Sequence, residues 1–421
     1  MRLLFITPYA PTPIRTRPYN LLRALRRRGH ALTLVTPWEN DAERAALHTL
    51  AREGVTVVTA QLTRARTALN LARALVSGRP LQALYCWEPG LAGQLAAPPG
   101  GPFEAAHIEH LRGVEYGLAL RQAQPDLPTV WDSVDCISGL FEQAAQSSRS
   151  HFGRWVSRLE LPRTRRYERQ AVRRFHRVLV PSANEAAGLA RLEAQAAGQG
   201  PNGAEARARV TVLPNGVDLE HFQPGSGARE PATVVLTGKM SYHANVTAAH
   251  HLITSIMPHV WATHPEVTVN IVGSQPPAAV RALGERHAPR VRVAGYVADL
   301  RPDLQTATLA VAPMAYGAGI QNKVLEAMAC GTPVVASPQA VAALHARVGE
   351  DVLVAEDALA FAAAIGQVLN DPALARRLGD SGRRYVAGHH DWDVVAQRLQ
   401  DIYYELVSAP TRLHHRARHI S

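Results

Sequence analysis

The chain has 421 residues, 47% of them hydrophobic and 19% charged, which is enough for two buried cores and excludes a short peptide or a disordered tail as the general class. Its three cysteines, Cys86, Cys136 and Cys330, are widely spaced and odd in number, which argues against a disulfide framework and against clustered metal ligands. The formal charge of +10 is uneven: 28 basic residues stand against 17 acidic up to Asn215, and 17 against 18 beyond it. One half is therefore expected to face a polyanion, whether an anionic membrane, an acidic glycan or nucleic acid.

In chain order, the apolar start is cut by Pro8, too short for a secretory core, and no later run offers the roughly 18 apolar residues of a spanning helix. A cytoplasmic protein is expected, either free or peripheral on the inner face of the cytoplasmic membrane. Leu3–Thr7 predicts a strand, Leu21–Arg28 a helix, and Ala31–Thr36 a second strand after the stop Gly29-His30. In Ala106-His-Ile-Glu-His110, His110 falls at a predicted strand end; it reads either as a functional imidazole or as one satisfied histidine among 19. Asp132 and Asp135 could lie near one turn as paired acids, or cap a helix.

From Arg149 to Arg177 ten arginines and two acids interleave with Phe152, Trp155, Tyr167 and Phe175. This suits an interfacial helix on anionic lipid, or a solvated basic face whose apolar side packs on its own domain. Nucleic acid is disfavoured, since no recognised binding module accompanies the charge.

Leu213-Pro-Asn-Gly-Val-Asp218 and the Gly/Pro/Ser-rich Pro224–Pro231 read as turn and linker. Beyond them a second β-α-β unit is predicted, with strand Thr233–Thr237, exit Gly238-Lys239, helix Val246–Thr263, strand Thr268–Val272 and Gly273. Val291–Ala294, Leu309–Ala312 and Val334–Ala336 continue the alternation that a parallel, doubly wound sheet requires, whereas the first half alternates less cleanly. Such sheets bind ligands beyond the carboxyl ends of their strands. Trp392–Val407 predicts an amphipathic helix, and the His-rich Thr411–Ser421 a disordered tail.

The most informative stretch runs from Gly317 to Ala336, where a loop of Gly317, Gly319, Ile320 and Gln321 enters a helix from about Gln321 to Cys330. A small-residue loop there lets a phosphate reach backbone N–H groups at the positive end of the helix dipole. Lys323 in the first turn adds charge, and Glu326 could accept hydrogen bonds from two ribose hydroxyls. The alternative is an ordinary i,i+3 surface pair. Only two of the 45 basic residues are lysines, Lys239 and Lys323, each at a glycine-bearing strand exit, which points to sites needing a compact point charge.

With Gly238-Lys239, Asn245, Gly273 and the GxGxxxKxLEAMAxGxPVVA segment in this order, the sequence resembles the retaining GT-B glycosyltransferases of family GT4, more narrowly the branch found in bacterial exopolysaccharide clusters. The resemblance covers nearly the whole chain, through Gly29-His30, Trp131–Asp135, Pro181-Ser182, Pro214–Asp218 and Trp392, and is strongest from Thr233 to Ala336. It implies an α/β fold of two Rossmann-like domains facing across an interdomain cleft. Residues 1–215 would bind acceptor and 216–390 the nucleotide sugar, 391–408 would cross back to the first domain, and 409–421 would be the tail.

It implies that Lys239 reaches the donor diphosphate, that Glu326 binds ribose, and that His110 lies near the reacting sugar. Gly238, Asn245, Gly273, Gly317, Gly319, Ile320, Gln321 and Lys323 complete the expected donor side. Arg15, Arg17, Asp132 and Asp135 are the acceptor-side candidates. The family's second basic residue falls on Asn245 and its first carboxylate on Ala318, which leaves Lys323 a larger share of the phosphate charge.

The expected partners are a UDP- or GDP-sugar and a glycan or lipid-linked acceptor, with no cofactor, no metal, and a retaining transfer in which a diphosphate oxygen takes the acceptor proton. A nucleotide-sugar epimerase or hydrolase of the same fold and a catalytically silent scaffold remain the alternatives.

Overall fold

In the computed structural model the described residues are 1–147, 151–197, 209–316 and 319–408. They divide into two units: Met1–Leu213 with the residues from Val395 onward, and Pro214–Val394.

The first unit is built on seven strands: β1 (Arg2–Ile6), β2 (Ala31–Trp38), β3 (Thr56–Gln61), β4 (Ala105–Glu109), β5 (Thr129–Asp132), β6 (Arg177–Val180) and β7 (Val210–Val212). All pair in parallel, in the order β3-β2-β1-β4-β5-β6-β7. Leu3, Leu4, Phe5 and Ile6 are buried on both faces, which is why β1 reads as a continuous apolar run. The later strands are regular too, but His107, Glu109, Thr129 and Asp132 occupy buried positions of β4 and β5 and break the apolar run that pattern reading looks for.

The first helix spans Thr16–Arg27, beginning five residues before the expected Leu21, because the polar-looking Arg17-Pro18 is buried against the domain. The Arg149–Arg177 segment is described from residue 151 as the helix His151–Arg174. Tyr167, Val172 and Phe175 pack into the core of their own unit while Arg158, Arg166 and Arg174 are exposed. Phe152 and Trp155 lie outside the residues whose side chains are described. The described part thus follows the second of the two readings, a basic face over an apolar side packed inward. The Trp392–Ser408 helix is held within the first unit by Tyr403 Oη to His107 Nδ1 at 2.8 Å and by Gln400 Oε1 to His30 Nε2 at 2.8 Å.

The second unit has six strands, β8 (Thr233–Thr237), β9 (Thr268–Val272), β10 (Val291–Gly295), β11 (Leu309–Ala312), β12 (Val334–Ala336) and β13 (Leu353–Val354), all parallel in the order β10-β9-β8-β11-β12-β13. Alternate residues feed two cores: Val235, Ala310 and Ala312 one face, Val234, Leu236 and Val311 the other. The helix expected from Val246 begins at His243 and runs to Thr263, with a wide π turn at Leu252–Ile256. Pro258, which has no N–H to donate back into the preceding turn, accounts for that irregularity. Asn245 is therefore in the first turn of this helix.

Both sheets reverse their winding beside their first strand, at β1/β4 and at β8/β11. The carboxyl ends flanking a reversal are where an open α/β sheet leaves a crevice. At the second reversal the exits of β8 and β9 meet: a β-carbon on Gly273 would lie 1.7 Å from the carbonyl oxygen of Gly238. No single described helix is long and apolar enough to cross a membrane.

This close approach predicts that Gly273→Ala costs about 3 kcal/mol or more of stability, since backbone rather than a flexible side chain must give way. Gly227→Ala, where an added carbon meets nothing within 4 Å, should be close to neutral. Urea unfolding of the two variants checks this; equal midpoints would contradict it.

Candidate active site

At the second unit's reversal, Gly238 and Lys239 leave β8, Gly273 leaves β9, and Gly319–Gln321 precede the helix Asn322–Ala329. Gly317, like Ala318, lies outside the described residues. Gly319 has φ +71°, a left-handed conformation that glycine adopts without the β-carbon penalty. Ile320 is buried in the core, so its side chain anchors the loop and only its backbone is available to a ligand. Gln321 is the N-cap residue and makes no side-chain capping bond, which leaves the helix start without a side-chain acceptor.

Asn245 organises this group. Its Nδ2 donates to the Lys239 carbonyl at 2.9 Å, and its Oδ1 accepts from Lys323 Nζ. Lys323 Nζ also lies 3.4 Å from Met314 Sδ. A β-carbon on Gly238 would meet Asn245 Nδ2 at 2.7 Å and Lys323 Nζ at 3.3 Å, so the missing side chain makes the space these groups use. Lys239 is exposed, and no hydrogen bond or ion pair of its side chain occurs among the described residues.

Lys323 and Glu326 do not form the surface ion pair that was the plainer reading. Both are half-buried, no salt bridge joins them among the described residues, and the ammonium turns to neutral partners instead. Burial brings the Lys323 ammonium down to about 8 against the opposing pull of Glu326. Burial likewise pushes the Glu326 carboxyl up to about 7, with Lys323 opposing. A half-buried ammonium, and a carboxyl with no hydrogen-bond or ion-pair partner among the described residues, are suited to an anion and to hydroxyl groups respectively.

The first unit gathers a second group at β1/β4. His110 has φ +62°, rare for a residue with a side chain. Its carbonyl accepts from Trp131 Nε1 at 3.3 Å, and its Nδ1 accepts from the Arg112 N–H at 3.2 Å. The proton of the neutral ring is then on Nε2, which can donate. Burial, with Arg112 next, presses its pKa down to about 3, so the ring is neutral at physiological pH.

Arg17 and Asp132, two of the acceptor-side candidates, are engaged in internal structure. Asp132 is 0% and Arg17 4% exposed, and Arg17 Nε lies 2.8 Å from Asp132 Oδ2. Burial works against the Asp132 carboxylate, but Arg17 and then His107 outweigh it and hold it down to about 2. With His107 Nε2 3.5 Å away and Arg17 Nη2 donating to the Leu213 carbonyl at 3.0 Å, the pair ties β4, β5, the first helix and the chain leaving β7 together. Arg15 pairs with Glu43 at 2.9 Å and covers the Tyr9 ring at 4.4 Å. Asp135 is half-buried, and burial raises its pKa, with Arg17 opposing and the nearby Asp132 adding to the rise.

Sequence reasoning missed Glu109. It is buried beside His110, accepts from Tyr9 Oη at 3.3 Å through Oε1, and leaves Oε2 without a partner. Burial, with Asp132 next, pushes it up to about 8. The available signal was a carboxylate ending the otherwise buried run Ala105–Glu109. His243 and Tyr316 were also missed: their rings stack at 5.6 Å, with Tyr316 Oη 3.1 Å from Thr247 Oγ1, beside the glycine loop.

Residues 231–371 match the family model described as Glycosyl transferases group 1, a span that holds Gly238, Lys239, Asn245, Gly273, Lys323 and Glu326. Glycogen synthase of Mycobacterium tuberculosis is 29% identical over 209 residues, covering 47% of this chain and 48% of that protein. The chain thus spans about half the length of the curated relatives it matches. Among solved structures, sucrose-phosphate synthase from Thermosynechococcus elongatus is similar with TM-score 0.66 at 19% identity, covering 97% of this chain and 100% of that one. Anabaena HepE in complex with UDP and glucose has TM-score 0.63 at 15% identity, covering 96% and 100%. The similarity to glycosyl transferases group 1 thus lies within the second unit, and the α/β fold is of the GT-B type.

The burial of Lys323 predicts a specific titration. Lysine-selective isotope labelling gives only two side-chain signals, because the chain has only two lysines. The signal that disappears in Lys323→Arg should titrate near 8. A midpoint at the ordinary lysine value of about 10.4 would contradict the placement of this ammonium.

Proposed function

We propose that the protein is a glycosyltransferase that moves a sugar from a UDP- or GDP-sugar to a glycan or lipid-linked acceptor, with retention and without a metal ion. The observation that carries this reading is the cluster at the end of β8, where the Lys323 ammonium, held by Asn245, borders the space made by Gly238, Lys239 follows Gly238 in the chain, and the helix bearing Lys323 starts without a side-chain cap.

As the glycosidic bond to phosphate breaks, positive charge spreads over the sugar and negative charge grows on the departing diphosphate. Lys323, held by Asn245, and the exposed Lys239 supply positive charge there, and the N–H groups at the start of the Asn322–Ala329 helix add hydrogen bonds. Glu326 accepts from the ribose. On the acceptor side, neutral His110 donates through Nε2 to the sugar. In the retaining reaction the acceptor oxygen attacks the face from which the diphosphate leaves, and a diphosphate oxygen takes its proton.

The exopolysaccharide branch of the motif resemblance supports a role in bacterial cell-surface polysaccharide synthesis. The basic charge of the first half supports work at the anionic inner face of the cytoplasmic membrane.

If the two lysines act on the leaving diphosphate, Lys239→Ala and Lys323→Ala each lower kcat by about 10²–10³, more than they weaken donor binding. Wild-type turnover persists in EDTA. Initial rates at saturating acceptor with donor varied test both points. Near-normal kcat in both variants, or loss of wild-type activity in chelator, overturns the reading.

A further inference from the structure

A cavity of about 440 Å³ opens along the groove between the His110–Ala123 and His151–Arg174 helices. Val114, Leu118, Tyr167 and Ala171 line it, together with Arg121 and Arg174. Its basic end lies away from His110: Arg121 reaches Thr129, the first residue of β5, and His176, the residue before β6. These are the amino ends of the strands, whereas Glu109 and His110 are at the carboxyl end of β4.

The charge in this cavity is unbalanced. Its carboxylate, Glu115, is already engaged by Arg79 at 3.1 Å and by Tyr167 Oη at 2.7 Å. Glu115 also lies six residues, or about 9 Å along the helix, from Arg121. Among the described residues Arg121 Nη1 meets neutral groups, Thr129 Oγ1 at 3.1 Å and His176 Nδ1 at 2.9 Å. No hydrogen bond or ion pair of the exposed Arg174 side chain occurs among the described residues. Arg209 adds a third guanidinium, fixed by its Nη1 to the Arg173 carbonyl at 3.0 Å. The effect of the crowding shows on the neighbours: burial and then Arg174 and Arg209 lower the Arg121 pKa, and burial with Arg121 and Arg209 lowers His176 to about 4.

We propose that this cavity binds a phosphoryl group, held in the fork of Arg121 and Arg174 with Arg209 reinforcing the field. Guanidinium groups suit phosphate oxygens in geometry and charge, and a dianion relieves the repulsion among three cations that have no carboxylate partner among the described residues. The apolar floor accepts the organic part of a phosphate ester. Free phosphate esters and lipid phosphates share this chemistry.

The test compares wild type, Arg174→Glu and Arg158→Glu, the last reversing an exposed charge on the same helix outside the cavity lining. Unfolding midpoints are recorded against inorganic phosphate, with chloride matched for ionic strength. Cosedimentation is measured with phosphatidylcholine vesicles with and without phosphatidic acid. Phosphate taken up at Lys239 and Lys323 is common to all three proteins, so the difference isolates the cavity.

Arg174→Glu should need about tenfold more phosphate for the same rise in midpoint, while Arg158→Glu behaves as wild type. Selective loss of phosphatidic acid binding in Arg174→Glu, with the response to free phosphate unchanged, supports the site with a lipid phosphate as its ligand. If Arg174→Glu matches wild type with both ligands, or if Arg158→Glu is impaired as much, the proposal fails. An Arg174→Gln variant replaces the glutamate should that protein not fold.

Discussion

The contact between the carbonyl of Gly238 and the backbone of Gly273 is the constraint on which the candidate donor site rests. Two adjacent strands can let their exits converge this closely only where one of them has no side chain at all. Gly238, itself without a side chain, leaves beside this contact the space into which Asn245 projects, and Asn245 in turn fixes both the Lys239 carbonyl and the Lys323 ammonium. A two-residue backbone feature thus determines where positive charge stands at the end of β8.

Lys323 and Glu326 show how an ordinary i,i+3 spacing becomes a site. On an open helix face the pair would meet and contribute a few tenths of a kcal/mol. Here the ammonium is drawn to an amide oxygen and a thioether, the carboxyl has no protein partner among the described residues, and burial moves both groups toward neutrality. Each is left with unmet polar capacity, which a ligand of complementary charge and hydroxyl pattern would satisfy. The first unit uses burial differently: the Arg17–Asp132 pair and His107 saturate one another, and Tyr403 closes the chain of contacts from the last helix.

The second unit was the more legible because β8, β11 and β12 are largely apolar on both faces, and β8, β9, β11 and β12 were read at the residues where they occur. The lysine count and glycine exits pointed to the groups that the fold gathers around Gly238. What stayed hidden depended on tertiary neighbours. Asn245 looked like a loop residue before a helix, since nothing local announces that the helix starts at His243 or that its amide would bridge two lysines. Asp132 looked like a candidate acid because its partner Arg17 is 115 residues away in sequence. Glu109 was passed over beside a more conspicuous histidine. That Tyr167 and Phe175 of the Arg149–Arg177 segment are buried became legible only once the sheet beneath them was in place.

The central claim is that the leaving diphosphate is received by Lys323 and the start of the Asn322–Ala329 helix, with the ribose on Glu326. A crystal structure with a bound nucleoside diphosphate tests it most directly. The account predicts a β-phosphate oxygen about 3 Å from Lys323 Nζ, a phosphate oxygen facing the N–H groups around Gln321, and both ribose hydroxyls donating to Glu326. A nucleotide bound with its phosphates away from Lys323, or with its ribose clear of Glu326, would contradict it.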